Sequence, residues 1–127
     1  MSGEKSSCKR QPLVRYRDET EAVGCPYGEV QRVVTGGDGG VANVHVVTVT
    51  AAGEHYHKAY DEVYYVLSGH GTLNMNNKEY GLRPGAVVVI PAEVHHQMTA
   101  AEGERLAFVI FGIPPVSIDD GQARPRH

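Results

Sequence analysis

His55-Tyr56-His57-Lys58-Ala59-Tyr60-Asp61-Glu62-Val63-Tyr64-Tyr65-Val66-Leu67-Ser68-Gly69 is the stretch whose reading decides the fold. After Glu62 it is an unbroken run of β-branched, aromatic and aliphatic residues, Val63 to Leu67, closed by Ser-Gly, the composition of a buried strand. His55 and His57 are two residues apart, a spacing that puts both imidazoles on one face of an extended strand. Glu62 opens the apolar strand, where a carboxylate is costly unless it is paired or bound to a metal. Tyr64 shares the face of Glu62 by the period of two and can present its hydroxyl beside it. Further on, Pro91-Ala92-Glu93-Val94-His95-His96 delivers another imidazole after a strongly apolar segment. Adjacent strand residues face opposite ways, so only one of His95 and His96 should reach the same place.

Working outward, fifteen glycines and seven prolines cut the chain into short segments rich in Val, Ile, Thr and Tyr. Strands are predicted over residues 30–35, 41–51, 62–67, 71–75, 78–82, 86–90, 95–100 and 105–111. Turn chemistry separates them, at Gly36–Gly40, Ala52-Gly53, Asn76-Asn77 and Arg83-Pro84-Gly85 among others. The run Gly36–Gly40 lacks the Gly-Lys-Ser/Thr ending of a phosphate loop and reads as a hairpin connection. No window carries a sustained helical stripe. Many short strands at this spacing predict an all-β sandwich or barrel. Residues 1–27 read as an N-terminal arm with a possible edge strand, 28–113 as the barrel, and 114–127 as a flexible tail.

The bulk composition narrows the function classes. At 127 residues and 41% hydrophobic content, one domain with one core is expected. No apolar run approaches a membrane span, and the polar start lacks the apolar centre of a secretion signal. A soluble, cytoplasmic protein is therefore expected. A formal charge of −3 argues against nucleic acid as the partner. The basic residues Lys5, Lys9, Arg10, Arg15 and Arg17 are followed at once by Asp18, Glu19 and Glu21, as in a solvated arm. Two cysteines, neither in a Cys-x-x-Cys pair, give no disulfide framework.

The pattern resembles the cupin family. Its first motif, His-x-His, three or four residues, Glu, six residues, Gly, is met by His55, His57, Glu62 and Gly69. Its second, Gly, five residues, Pro-x-Gly, two residues, His, is met by Gly85, Pro91 and His96. Three positions depart: Val49 stands where a Gly leads the first motif, Glu93 replaces the Gly of Pro-x-Gly, and Ala100 replaces a closing Asn. The resemblance implies a double-stranded β-helix, or jelly-roll barrel. It also selects His96 over His95 and implies a metal held by His55, His57, Glu62 and His96. Three imidazoles and a carboxylate suit Mn, Fe, Co, Ni, Cu or Zn better than Ca or Mg.

What the resemblance implies about activity is broad, because one fold hosts many chemistries. The expectation is a metalloenzyme of dioxygenase, isomerase or lyase type acting on a small polar substrate that chelates the metal. The alternative is a non-catalytic domain that binds or senses a sugar-like small molecule. Tyr64 and His45 are the candidate acid–base residues. A homodimer is also expected: Val44, Val46, Val63, Tyr65, Leu67, Val87, Val89, Phe108 and Ile110 exceed what a small interior can bury, and the surplus should form an apolar patch.

Overall fold

The computed structural model describes residues 12–25, 28–50, 55–57, 61–115 and 121–123, with 55–57 and 121–123 described as backbone strands. Among these residues eleven strands form two antiparallel sheets. They are β1 (Ala22–Cys25), β2 (Gly28–Val34), β3 (Asn43–Val49), β4 (His55–His57), β5 (Asp61–Ser68), β6 (Gly71–Met75), β7 (Lys78–Leu82), β8 (Val87–Ile90), β9 (His96–Ala100), β10 (Leu106–Ile113) and β11 (Gly121–Ala123). The larger sheet runs β1-β2-β3-β10-β5-β8 and the smaller β11-β4-β9-β6-β7. From β3 onward consecutive strands alternate between sheets, except for the β6–β7 hairpin, as expected of a jelly roll closing on its own core. Among the described residues no helix is long and apolar enough to cross a membrane.

Period-two alternation places the core. In β5, Glu62, Tyr64 and Val66 are buried while Tyr65 and Leu67 are exposed. Val66 meets Val30, Val47, Val49, Leu73, Leu82, Ile90, Met98, Leu106 and Phe108 in one cluster between the sheets. Each such side chain contributes about 1.5–3 kcal/mol by leaving water. Phe108 and Ile110, counted from sequence among the surplus apolar residues, belong to this inner face. The surplus that reaches the surface is Tyr65, Leu67, Val87 and Val89.

The turns follow their chemistry. Asn76 and Asn77, both at positive φ (53° and 65°), close the β6–β7 hairpin as a two-residue turn. Gly69 ends β5 at φ 87°, where an added Cβ would strike the carbonyl of Arg105. Gly36–Asp38 forms a 3₁₀ turn between β2 and β3, capped by Thr35 and Asp38. Arg15 then grips Asp38 with two bonds of 2.8 Å and donates to the Val33 carbonyl at 2.7 Å. Two contacts on that carboxylate, from Arg15 first and the Thr35 N–H second, lower the Asp38 pKa to about 2. Gln31 holds the Arg17 and Thr20 carbonyls at 2.7 and 3.0 Å. The basic segment read as a solvated arm is therefore fastened to the barrel at Arg15 and Arg17, and β1 pairs with β2 of its own chain. Within the stretch read as a tail, β11 pairs with β4.

Candidate functional site

Three residues of the quoted motifs meet inside the barrel. Glu62, Tyr64 and His96 are 4%, 3% and 1% exposed. The Tyr64 hydroxyl donates to Glu62 Oε1 at 2.9 Å and lies 3.3 Å from His96 Nε2. His96 Nε2 is 3.6 Å from the same carboxylate oxygen. The Tyr64 ring is wedged between His96, edge-on at 6.2 Å, and Phe108 at 4.9 Å between centroids. Packing on both sides fixes where the hydroxyl points.

Local structure explains how each side chain arrives. Glu62 enters as the second residue of β5, opposite Gly112 of β10 and Ile90 of β8. His96 is the first residue of β9, after a turn in which the Val94 N–H bonds the Pro91 carbonyl at 3.2 Å. The Ala92 N–H in that turn donates to Asp61 at 2.8 Å, which ties the turn to the start of β5. Glu93, standing where the family pattern has Gly, adopts the glycine conformation at φ 72°. The strand consequently begins with His96 inward, and His95 is half-buried outside it. The other two departures are benign. Val49 is a core residue of β3, and the N–H of Ala100 closes β9 onto the Thr50 carbonyl at 2.8 Å.

His55 and His57 lie on β4, and the His55 position is paired with His96 across the sheet. Their side chains lie outside the described residues, and among the described residues no group of three or more His, Cys, Asp or Glu side chains converges. The described donors nonetheless suit a metal. His96 Nδ1 is 3.0 Å from the Val94 carbonyl, so it carries the ring proton and leaves Nε2 as a lone-pair donor facing Glu62. Anchoring the remote ring N–H on a carbonyl is the usual device for orienting a metal-binding imidazole. One imidazole nitrogen and one carboxylate oxygen match the borderline divalent ions.

His45 lies on β3 at 8% exposure, facing the same interior. Burial first, and the Arg32 charge second, lower its pKa, while Glu62 pulls it the other way. The imidazole is thus held neutral near pH 7. Sequence reasoning missed Arg32, Asn43 and Asp61, which reach the neighbourhood of the site only through strand register. His70 pairs with Glu104 at 3.0 Å on the surface and takes no part.

Known proteins share this architecture. A solved protein from Planctomyces limnophilus superposes with a TM-score of 0.81 at 30% identity, covering 92% of this chain and 99% of that one. An L-ectoine synthase from Nocardia farcinica is 33% identical over 113 residues, 83% of this chain and 85% of its own length. An uncharacterized protein of Methanocaldococcus jannaschii is 27% identical over 66 residues, 52% of this chain and about half (53%) of that relative. The cupin domain profile matches residues 42–112, more than half of the chain and all of the segment from β3 to β10 except Ile113. With its two motifs folded into facing strands of a closed double sheet, this chain belongs to the cupin family.

Proposed function

We propose that this chain is a divalent-metal enzyme that moves a proton on a small polar substrate, in a reaction of isomerase or lyase type. The observation that carries the reading is the buried Tyr64 hydroxyl, 2.9 Å from Glu62 and 3.3 Å from His96. A hydroxyl shared between a carboxylate and an imidazole can pass a proton, and burial strengthens its electrostatic effect on a bound molecule. Glu62 and His96, together with His55 and His57, would hold a transition metal such as Mn, Fe, Co, Ni, Cu or Zn. Such a metal supplies a Lewis acid that polarises a carbonyl or enol oxygen. Tyr64 Oη then donates to or accepts from the polarised group, His96 stays fixed on Val94, and neutral His45 offers a second acid–base group across the interior. The 33%-identical relative that synthesises ectoine supports an enzyme over a passive binding module.

The test uses full-length protein purified without a histidine tag. Metal analysis should find about one divalent ion per chain. Proton NMR in D₂O against a panel of small hydroxy, keto and amino acids should then show turnover or solvent exchange with at least one compound. Tyr64→Phe should keep the metal and lose that signal. Metal-bound protein that binds panel compounds saturably without exchange would favour the non-catalytic reading, and wild-type protein that takes up no metal would sink the metal assignment.

We also propose that two copies associate through the outer face of the larger sheet. Val87 and Val89 are 65% and 60% exposed there, beside Tyr65 and Leu67. Tyr65 is paired with Val87 across β5 and β8, so the four side chains are contiguous. With side chains of about 150–200 Å² each, the bare apolar surface is roughly 400 Å². That is about half of what each partner of a standard interface buries, enough to form its centre. The patch carries no charge, and an uncharged patch can meet a copy of itself without repulsion.

A further inference from the structure

The register of the larger sheet lines up two rows of side chains across its inner face. The first row runs Arg32 on β2, His45 on β3, Ile110 on β10 and Tyr64 on β5, each directly opposite the next. The second runs Asn43, Gly112 and Glu62. Directly paired residues share a face of the sheet, so Arg32 stands on the side of the Glu62–Tyr64–His96 cluster. Arg32 is exposed, whereas Asn43 and His45 are buried. The pairing of β2 with β3 slips immediately after Arg32, between Arg32 and Val34. Irregularities of this kind gather at barrel rims and re-aim a side chain there.

These rows describe a polar end, a smooth middle and a second polar end. Ile110 packs against the core and offers an apolar floor, and Gly112 brings no side chain between Asn43 and Glu62. Among the described residues Arg32 makes no ion pair: Glu29, the nearest acidic residue in sequence, alternates to the other face of β2, and Asp38 is taken by Arg15 and Thr35. A guanidinium with no acidic partner among the described residues, beside a buried imidazole, is a receptor for a carboxylate, to which its planar fork donates two bonds.

We propose that Arg32, flanked by His45 and Asn43, is the carboxylate-binding end of the substrate site. The substrate is then a small anion whose carboxylate lies at Arg32 while its reacting group lies at Glu62, Tyr64 and His96. Three strand-to-strand steps separate the Arg32 and Tyr64 backbones by about 14 Å, and both side chains shorten that gap to a length that a chain of roughly four to six carbons would span. The proposal rests on the reading of that cluster as the reacting end.

Calorimetry on metal-loaded, full-length protein tests it, with the linear dicarboxylates from malonate to adipate as probes and their diamides as neutral counterparts. Wild-type protein should bind at least one diacid and none of the diamides with comparable affinity. Arg32→Gln should weaken that binding at least tenfold, and Arg32→Lys should recover part of it, with melting temperature and metal content unchanged in both. Equal binding by Arg32→Gln, equal binding of a diamide, or no diacid bound by the wild type would overturn the proposal. Metal content measured on the same samples separates the two readings. Arg32-dependent diacid binding in protein that takes up no metal would leave the carboxylate end standing and remove the metal, and a loaded metal without Arg32 dependence would do the reverse.

Discussion

At the end that carries Glu62 and His45, the two faces of the six-stranded sheet depart from the usual distribution. Along β5 the residues turned inward at the mouth of the barrel are Glu62 and Tyr64, while those turned outward are Val63, Tyr65 and Leu67. On β3 the inward residues include Asn43 and His45, and on β8 the outward ones are Val87 and Val89. A strand serving only stability would place its polar residues on the wet face. Here polar groups sit inside, where burying a carboxylate or an imidazole is costly, and apolar surface is left outside. The inner arrangement supports the proposed ligand site, and the outer one the proposed pairing of two copies.

The largest effect expected is at the inner face. Glu62→Ala and His96→Ala should each remove most of the bound metal, because a chelate loses affinity steeply with each donor. His95→Ala should leave the metal content nearly unchanged, since only His96 is turned inward. Stripping the metal from wild-type protein should lower the melting temperature by several degrees, as a ligand at a hundredfold excess over its Kd adds about 2.7 kcal/mol. Stoichiometric metal in His96→Ala, or an unchanged melt of the stripped protein, would break the inner half of the comparison.

The outer face comes next. Val87→Asp with Val89→Asp puts two charges on each patch and should halve the mass seen by light scattering, from twice 13.8 kDa to 13.8 kDa. The same change should leave the metal content intact, because both residues point away from the site. A wild-type mass of 13.8 kDa at micromolar concentration would dispose of the dimer.

Much of the inner face was legible in the sequence, because period-two alternation and His-x-His spacing are local signals. Eight predicted strands match β2, β3 and β5–β10 to within a few residues, since Gly, Pro and Asn-Asn mark their ends. Arg32, Asn43 and Asp61 were not legible. Their roles depend on which residue stands opposite which across strands far apart in the chain, as with Arg32 and His45 or Asn43 and Gly112. The fastening of Arg15 to Asp38, twenty-three residues apart, escaped for the same reason. The left-handed turn at Glu93 was hidden because its residue type gives no hint of a positive φ.

Turns keep the two faces from exchanging, since a one-residue slip would send Glu62 and Tyr64 outward. Gly69 and Gly85 separate the possible causes. Both have left-handed φ, at 87° and 92°, but a Cβ on Gly69 would strike the Arg105 carbonyl while one on Gly85 would meet open space. Gly69→Ala should therefore cost about 2–3 kcal/mol in urea unfolding, and Gly85→Ala about 1 kcal/mol. Equal costs would mean that backbone conformation alone, and not the close approach of β10, governs the end of β5.

The smallest effect expected is a gain. Glu93 holds a left-handed conformation at φ 72° in the turn that decides whether His95 or His96 faces inward. A side chain there costs about 1–2 kcal/mol of backbone strain, which glycine relieves, less the entropy that glycine adds to the unfolded chain. Glu93→Gly should accordingly stabilise the protein by about 0.5–1 kcal/mol, or a few degrees of melting temperature. The Ala92 bond to Asp61 is made by backbone and should survive the change, so β9 should keep its register and the metal content should not alter. A lower melting temperature would show that the Glu93 side chain stabilises the turn by more than its backbone strains it. A stabilised protein that loses metal would show that the strain itself helps to hold His96 in place.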